Sequence, residues 1–174
     1  MKQLTTRRLL LRAWTEDDVD FALDLYSRWE VQQYIGTSPR VVEDRAEAAE
    51  RVARFAALDH PVHAIWLVSD LMTEEPYGTL LLKPIPASGP DLAPSGETEV
   101  GWHLHPGAWG LGYATEAATA ALDHAFAGGL ERVVAVTHAE NHASQRVAVR
   151  IGMEHRGTTD RFYNTTCELF VADR

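Results

Sequence analysis

Several residue types that announce a function class are scarce in this sequence. It holds one cysteine, Cys167, in 174 residues, so no internal disulfide can form. Cys167 falls in an alternating segment with Leu169 and Val171 and reads as a packed strand residue. No apolar run approaches the roughly 20 residues of a membrane-spanning helix. The start, Met1 to Arg8, has neither the apolar stretch nor the small-residue cleavage site of a secretory signal, so the expectation is a soluble, cytoplasmic protein with no membrane partner. Positive charge is short as well: 16 Lys and Arg stand against 25 Asp and Glu, a net charge of −9. That balance argues against a nucleic-acid partner and tilts toward a cationic one, although solubility accounts for it equally well. There is no internal repeat, no Gly-Lys-Ser/Thr ending of a triphosphate loop and no third glycine of a dinucleotide fingerprint.

What is present suits one domain over residues 1–174. At 45% hydrophobic and 24% charged residues, the chain is in the globular range and long enough to bury about 70% of its unfolded surface. Arg8 to Trp14 reads as a strand, followed by Thr15-Glu16-Asp17-Asp18, a capping tetrad for a helix whose face carries Val19, Ala22, Leu23 and Tyr26. A second helix is expected from Val42 to Leu58, with Val42, Ala46, Ala49, Ala53 and Ala56 as its apolar stripe. Strands follow at Ala64 to Ser69 and Tyr77 to Lys83. Pro84 to Gly96, with four prolines, reads as a surface loop.

Glu97 to His105 alternates, with Thr98, Val100, Trp102 and Leu104 on one side and Glu97, Glu99, Gly101, His103 and His105 on the other. A glycine turn, Trp109-Gly110-Leu111-Gly112, then leads into a helix with Ala114, Ala117, Ala118, Ala121, Leu122, Ala125 and Phe126 at helical spacing, stopped by Gly128-Gly129. Arg132 to Thr137 is a valine-rich strand, Ala143 to Ile151 a helix, and Glu154 to Thr159 and Cys167 to Ala172 are the last strands. A helix N-terminus carries unpaired amide protons and partial positive charge, and glycines let backbone approach a ligand, so the turn is a candidate anion site. Two glycines before a helix are, by themselves, equally a structural turn. His103 and His105 could share a metal, but no cysteine or third histidine lies at ligand spacing, and no metal is expected.

The residues His105 to Glu116, His-Pro-x-x-Trp-Gly-x-Gly-Tyr-Ala-Thr-Glu, resemble the GNAT superfamily of N-acetyltransferases. They are similar to its RimJ/RimL branch of ribosomal-protein N-terminal acetyltransferases. The superfamily signature Gln/Arg-x-x-Gly-x-Gly/Ala stands here as Trp109-x-x-Gly112-x-Ala114, with tryptophan in the first place. Thr6 to Arg12, Glu99 to Leu104, Asn141-x-x-Ser144-Gln145-Arg146 and Ile151-Gly152-Met153 extend the resemblance over nearly the whole chain. It implies an α/β (α+β) fold: a mixed, mostly antiparallel sheet of about seven strands, with helices on both faces, splayed between Glu97–His105 and Arg132–Thr137.

Acetyl-CoA would lie in that gap as cosubstrate. The resemblance assigns pantetheine to the main chain of His103, Leu104 and His105, pyrophosphate to Trp109, Gly110, Leu111, Gly112, Tyr113, Ala114 and Thr115, and a further pantetheine contact to Asn141. Transfer to an amine needs a base, because a free alkyl amine has a pKa of about 10 and an α-amine about 8. Glu99 is the candidate base and Glu97 its rival. The tyrosine that many members use to protonate the thiolate is absent from Val147-Ala148-Val149, and Ser144 is the candidate in its place. The acceptor expected from the branch is a protein N-terminal α-amine. The alternatives are a small-molecule amine or a non-catalytic acyl-CoA sensor. Glu30 to Pro39 and Pro84 to Gly96 are where acceptor specificity is expected, and the chain would be a monomer or homodimer.

Overall fold

The computed structural model describes residues 2–174. The strands are β1 (Leu4–Thr5), β2 (Leu9–Ala13), β3 (Ala64–Asp70), β4 (Pro76–Pro86), β5 (Pro94–Leu104), β6 (Arg132–Thr137), β7 (Glu154–Thr159) and β8 (Cys167–Asp173). They form one sheet in the order β1-β2-β3-β4-β5-β6-β8-β7. The helices are α1 (Val19–Tyr26), α2 (Trp29–Gln32), α3 (Arg45–Ala56), α4 (Tyr113–Ala127) and α5 (His142–Arg150). The sheet has eight strands rather than about seven, the two-residue β1 pairing with β2 at Leu4↔Leu11 being the addition.

Every neighbouring pair is antiparallel except β5 and β6, which run parallel and meet at a single register pair, Glu99↔Val134. The cause lies in the flanking pairings. β5 is held along Thr98 to Leu104 by β4, and β6 along its whole length by β8. Two twisted antiparallel halves therefore touch at one point and part beyond it.

Both faces are covered. Alternate residues of β3 send Trp66 and Val68 to one side and Ile65 and Leu67 to the other. On the first side, α4 lays Ala117, Ala118, Ala121, Leu122 and Ala125 on Leu9, Leu11, Leu80, Leu82 and Val100. On the second side, α1 and α3 pack through Ala22, Leu25, Tyr26, Ala48 and Val52. The alanines of α4 let helix and sheet approach closely. Ala121 is fully buried, so Ala121→Leu overpacks the site at a cost of about 1–3 kcal/mol. The expected result is a melting temperature lower by roughly 3–10 °C, with the exposed Thr119→Ala unchanged as the control in a thermal scan.

Three details depart from expectation. In α3 the buried positions are Ala48 and Val52, with Phe55 half-buried, whereas Ala46, Ala53 and Ala56 are exposed. Alanine carries too little apolar area to orient a helix against larger neighbours, and Val52 and Phe55 decide the face. In α1, Leu25 is buried and Leu23 half-buried. Most consequentially, Pro84 to Gly96 is not a free surface loop: β4 runs to Pro86, β5 starts at Pro94, and Ile85 is fully buried against Val134, Phe162 and Val171. Burial of Ile85 and a bridge from Ala87 to Phe162 outweigh the local turn preference of the prolines.

Candidate active site

Where β5 and β6 part, main-chain groups lose their ladder partners. The His105 amide donates to Tyr77 O at 2.8 Å, and the alternation of an antiparallel ladder then directs the main chain of His105, His103 and Gly101 toward β4. Trp102 and Leu104 turn theirs into the gap. The Leu104 carbonyl accepts a hydrogen bond there from the Trp109 indole at 2.8 Å. Of the three residues expected to offer main chain to pantetheine, Leu104 thus faces the gap with its backbone, while His103 and His105 present side chains on the α1 face. Trp102, absent from that expectation, also turns its main chain into the gap, because only the register separates odd from even residues.

Those histidines are engaged locally. His103 Nδ1 lies 3.1 Å from the Tyr26 hydroxyl, itself 2.7 Å from Thr79 Oγ1. Burial, then the positive charges of Arg51 and Lys83, push His103 down to about 3, so it is neutral across the physiological range. His105 Nδ1 accepts from Gly107 N at 3.1 Å, and its Nε2 is 3.1 Å from Asp24 Oδ2 without the alignment of a hydrogen bond. Among the described residues no three His, Cys, Asp or Glu side chains converge as a metal site.

The glycine turn lies at the end of the parting strand. Gly110 and Gly112 have φ of +75° and +82°, and Gly112 is the N-cap of α4. No side chain caps this helix, so the first-turn amides of Tyr113, Ala114 and Thr115 are open to an anion. A Cβ on Gly110 would meet nothing within 4 Å, and one on Gly112 only Arg8 Nη2 at 3.5 Å. The surface before the amides is therefore clear, as a pyrophosphate requires. The turn is clamped from the far end of the chain. Arg8 donates through Nε to Glu116 Oε2 at 2.7 Å and through Nη1 to Leu111 O at 3.0 Å, while Thr6 Oγ1 donates to Glu116 Oε1 at 2.6 Å. Thr6, Arg8 and Glu116, seen in the sequence only as parts of two separate motifs, form one clamp. Arg8 also neutralises the carboxylate that would otherwise repel a phosphate.

At the C-terminal end of β6, α5 begins with Asn141 as N-cap, its side-chain oxygen accepting from Ser144 N at 3.2 Å. That contact occupies the Asn141 oxygen on its own helix and leaves its amide N–H groups without a hydrogen-bond partner among the described residues. Ser144 is half-buried in the first turn of α5. Both α4 and α5 thus start at the ends of the two strands that part.

Glu99 stands at the vertex, where β5 and β6 meet, and is 7% exposed. Lys83, directly opposite on β4, brings Nζ to 2.5 Å from Glu99 Oε1. The Tyr163 hydroxyl donates to the same oxygen and accepts from Lys83 Nζ at 2.8 Å. Burial, then the Glu99 charge, hold the Tyr163 phenol well above its ordinary range, so it stays protonated. Glu97 is on the same face and has Arg161 3.8 Å away. Cys167 is buried, and burial, then Glu168 and Glu99, push its thiol up to about 11; it is a poor nucleophile. Tyr34, just after α2, stacks on His138, just after β6, with ring centroids 5.2 Å apart.

The sequence profile of the acetyltransferase (GNAT) domain matches residues 8–154. The chain is 27% identical over 161 residues to an uncharacterised N-acetyltransferase, YoaA, of Bacillus subtilis, covering 91% of this chain and 86% of that one. It is 29% identical over 164 residues to the FsC-acetyl coenzyme A-N(2)-transacetylase of Aspergillus fumigatus, covering 93% and 69%. Among solved structures, RimL, a ribosomal L7/L12 alpha-N-protein acetyltransferase in complex with coenzyme A, superposes with a TM-score of 0.79 at 20% identity over 99% of this chain and 98% of its own. No helix among the described residues is long and apolar enough to cross a membrane.

Proposed function

We propose a direct transfer: the chain belongs to the acetyltransferase (GNAT) family and is an acetyl-CoA-dependent N-acetyltransferase, and its acceptor, a primary amine, takes the acetyl group without an acetyl-enzyme. Residues 1–174 act as one acetyltransferase domain, supported by a single sheet whose strands run from Leu4 to Asp173. The observation that carries this reading is the parting of β5 and β6 beyond Glu99↔Val134, with the uncapped N-terminus of α4 at its end.

The main chain of Trp102 and Leu104 and the amide of Asn141 would hold the pantetheine arm. The amides from Gly110 to Thr115, backed by Arg8, would hold the pyrophosphate. Acetyl-CoA supplies the thioester. Glu99 takes the proton that the amine must lose for its lone pair to attack, and the main-chain donors in the gap polarise the thioester carbonyl. Ser144, in the first turn of α5, donates toward the departing sulfur. The lone cysteine is protonated and buried, which supports attack by the amine itself.

For the acceptor, the favoured class is a protein N-terminal α-amine. A carboxylate is a weak base, and the match is better to an α-amine with a pKa of about 8 than to an alkyl amine at about 10.4. The RimL fold likeness points the same way, whereas the Aspergillus relative, a transacetylase named for N(2) of FsC, keeps a small-molecule amine as the second reading. Measuring CoA release with a panel of free-N-terminal peptides and small amines separates them. The expected result is that serine-initiated peptides exceed lysine-like alkyl amines by roughly 200-fold in kcat/KM at pH 7.5, the ratio set by their neutral fractions. A small amine leading the panel would replace the protein acceptor.

A further inference from the structure

Resting on the proposal that Glu99 is the base, we infer that Lys83 and Tyr163 are positioning residues that saturate one oxygen of its carboxylate, Oε1, and thereby present the other, Oε2, to the amine. The two groups come from different parts of the chain, Lys83 as an ion-pair partner and Tyr163 as a hydrogen-bond donor. Lys83 is the cross-strand neighbour of Glu99, with Nζ 2.5 Å from Oε1. Tyr163, in the connection from β7 to β8, donates its hydroxyl to the same atom. Lys83 also donates to the phenol oxygen at 2.8 Å, so the three groups close a triangle, and turning the carboxylate breaks two contacts at once. Among the described residues no group bonds Oε2.

The segment bearing Tyr163 is held in an unusual conformation. Tyr163 and Asn164 both have left-handed backbones, with φ of 58° and 54°, a region that non-glycine residues enter only when their surroundings impose it. Here the surroundings are the β4–β5 connection. Asn164 Nδ2 donates to Gly89 O at 3.1 Å, Asn164 Oδ1 accepts from Gly89 N at 2.7 Å, and Ser88 Oγ accepts from Asn164 N at 3.0 Å. Phe162, fully buried against Ile85, Val134 and Val171, anchors the preceding residue. The connection expected from the sequence to contact the acceptor is thus stapled to the turn that aims Tyr163.

The other titratable groups around Glu99 do not perform this task. Cys167 on β8 remains a thiol, His103 on β5 is neutral, and Glu97 on β5 faces Arg161. Lys83 is the cation in contact with the carboxylate.

The test is Lys83→Met, assayed with acetyl-CoA and the panel amine that the unaltered enzyme acetylates fastest. Expected are a kcat lower by about 100-fold, the order of loss that a misplacement near 1 Å produces, and an acetyl-CoA KM kept within about twofold. The split follows because the clamp orients the base without touching the groups assigned to acetyl-CoA, whereas a residue serving only to support the fold would move both constants. Should Lys83→Met not fold, as judged by circular dichroism, Tyr163→Phe removes the hydrogen bond to Oε1 and is read the same way. A kcat within about twofold of the original, or a loss confined to KM, overturns the inference. Glu99→Gln in the same assay keeps the two ideas apart: full turnover there removes the base assignment itself, whereas lost turnover there with an unaltered Lys83→Met removes only the clamp.

Discussion

Replacing Glu99 by glutamine lowers kcat by about 10²- to 10⁴-fold, the range that a positioned general base contributes, and leaves the dissociation constant of acetyl-CoA within about twofold of its original value. Glutamine keeps the length and planarity of the side chain, so the vertex between β5 and β6 keeps its shape. It cannot accept a proton at neutral pH, and that is the property under test. The groups assigned to acetyl-CoA lie elsewhere, on the β5 main chain, the turn from Gly110 to Gly112 and Asn141, which is why affinity is retained. One side effect is foreseeable: Lys83 Nζ, now 2.5 Å from a carboxylate oxygen, would face a neutral amide, so some thermal stability is lost and has to be measured beside the kinetics. The pH profile carries the decisive information. Without its base the enzyme depends on amine already neutral in solution, and the remaining rate rises with pH toward the amine's own pKa. Unchanged turnover would move the role to Glu97, which shares the strand face, or to a chain of water.

The second large effect is expected at the glycine turn. Gly112→Val weakens acetyl-CoA binding by about 5- to 150-fold, the equivalent of the 1–3 kcal/mol that a strained backbone conformation costs, with kcat at saturating acetyl-CoA largely kept. Crowding is not the cause, because the nearest atom to an added Cβ is Arg8 Nη2 at 3.5 Å, an ordinary contact. The cause is the backbone: φ of +82° is open to glycine and an outlier for a β-branched residue. Valine relaxes by turning the peptide out of the left-handed region. That rotation redirects the α4 amides and pulls Leu111 O away from Arg8, which holds it at 3.0 Å. Isothermal titration with CoA reads the change directly, and an affinity within twofold of the original would show that the turn does not hold the ligand.

Much of this architecture was legible from the residues. The alternation from Glu97 to His105 separates a core-facing set from a polar set, and Val100 and Glu99 do lie on opposite faces. The alanine spacing after Gly112 marks the face of α4 that is buried, because four alanines and a leucine at helical intervals leave little choice. The buried face of α3 is less legible, because alanines occur on several sides of that helix and only neighbours across the interface choose among them. In the turn-rich segment after Lys83, local preference points to a loop and burial of Ile85 overrides it.

By itself, then, the sequence determined the elements, the glycine turn at a helix start and the strand that bears Glu99, since these depend on periodicity and backbone freedom within a few residues. Only the tertiary structure decided what stands around them. That β5 and β6 touch at one residue pair, that Arg8 lies behind Gly112, and that Lys83 and Tyr163 meet on a single oxygen of Glu99 all depend on strand register and on contacts between residues 16 to 108 positions apart. A one-residue slip in register would send Lys83 to the opposite face of the sheet, and nothing local to Lys83 records which face it takes.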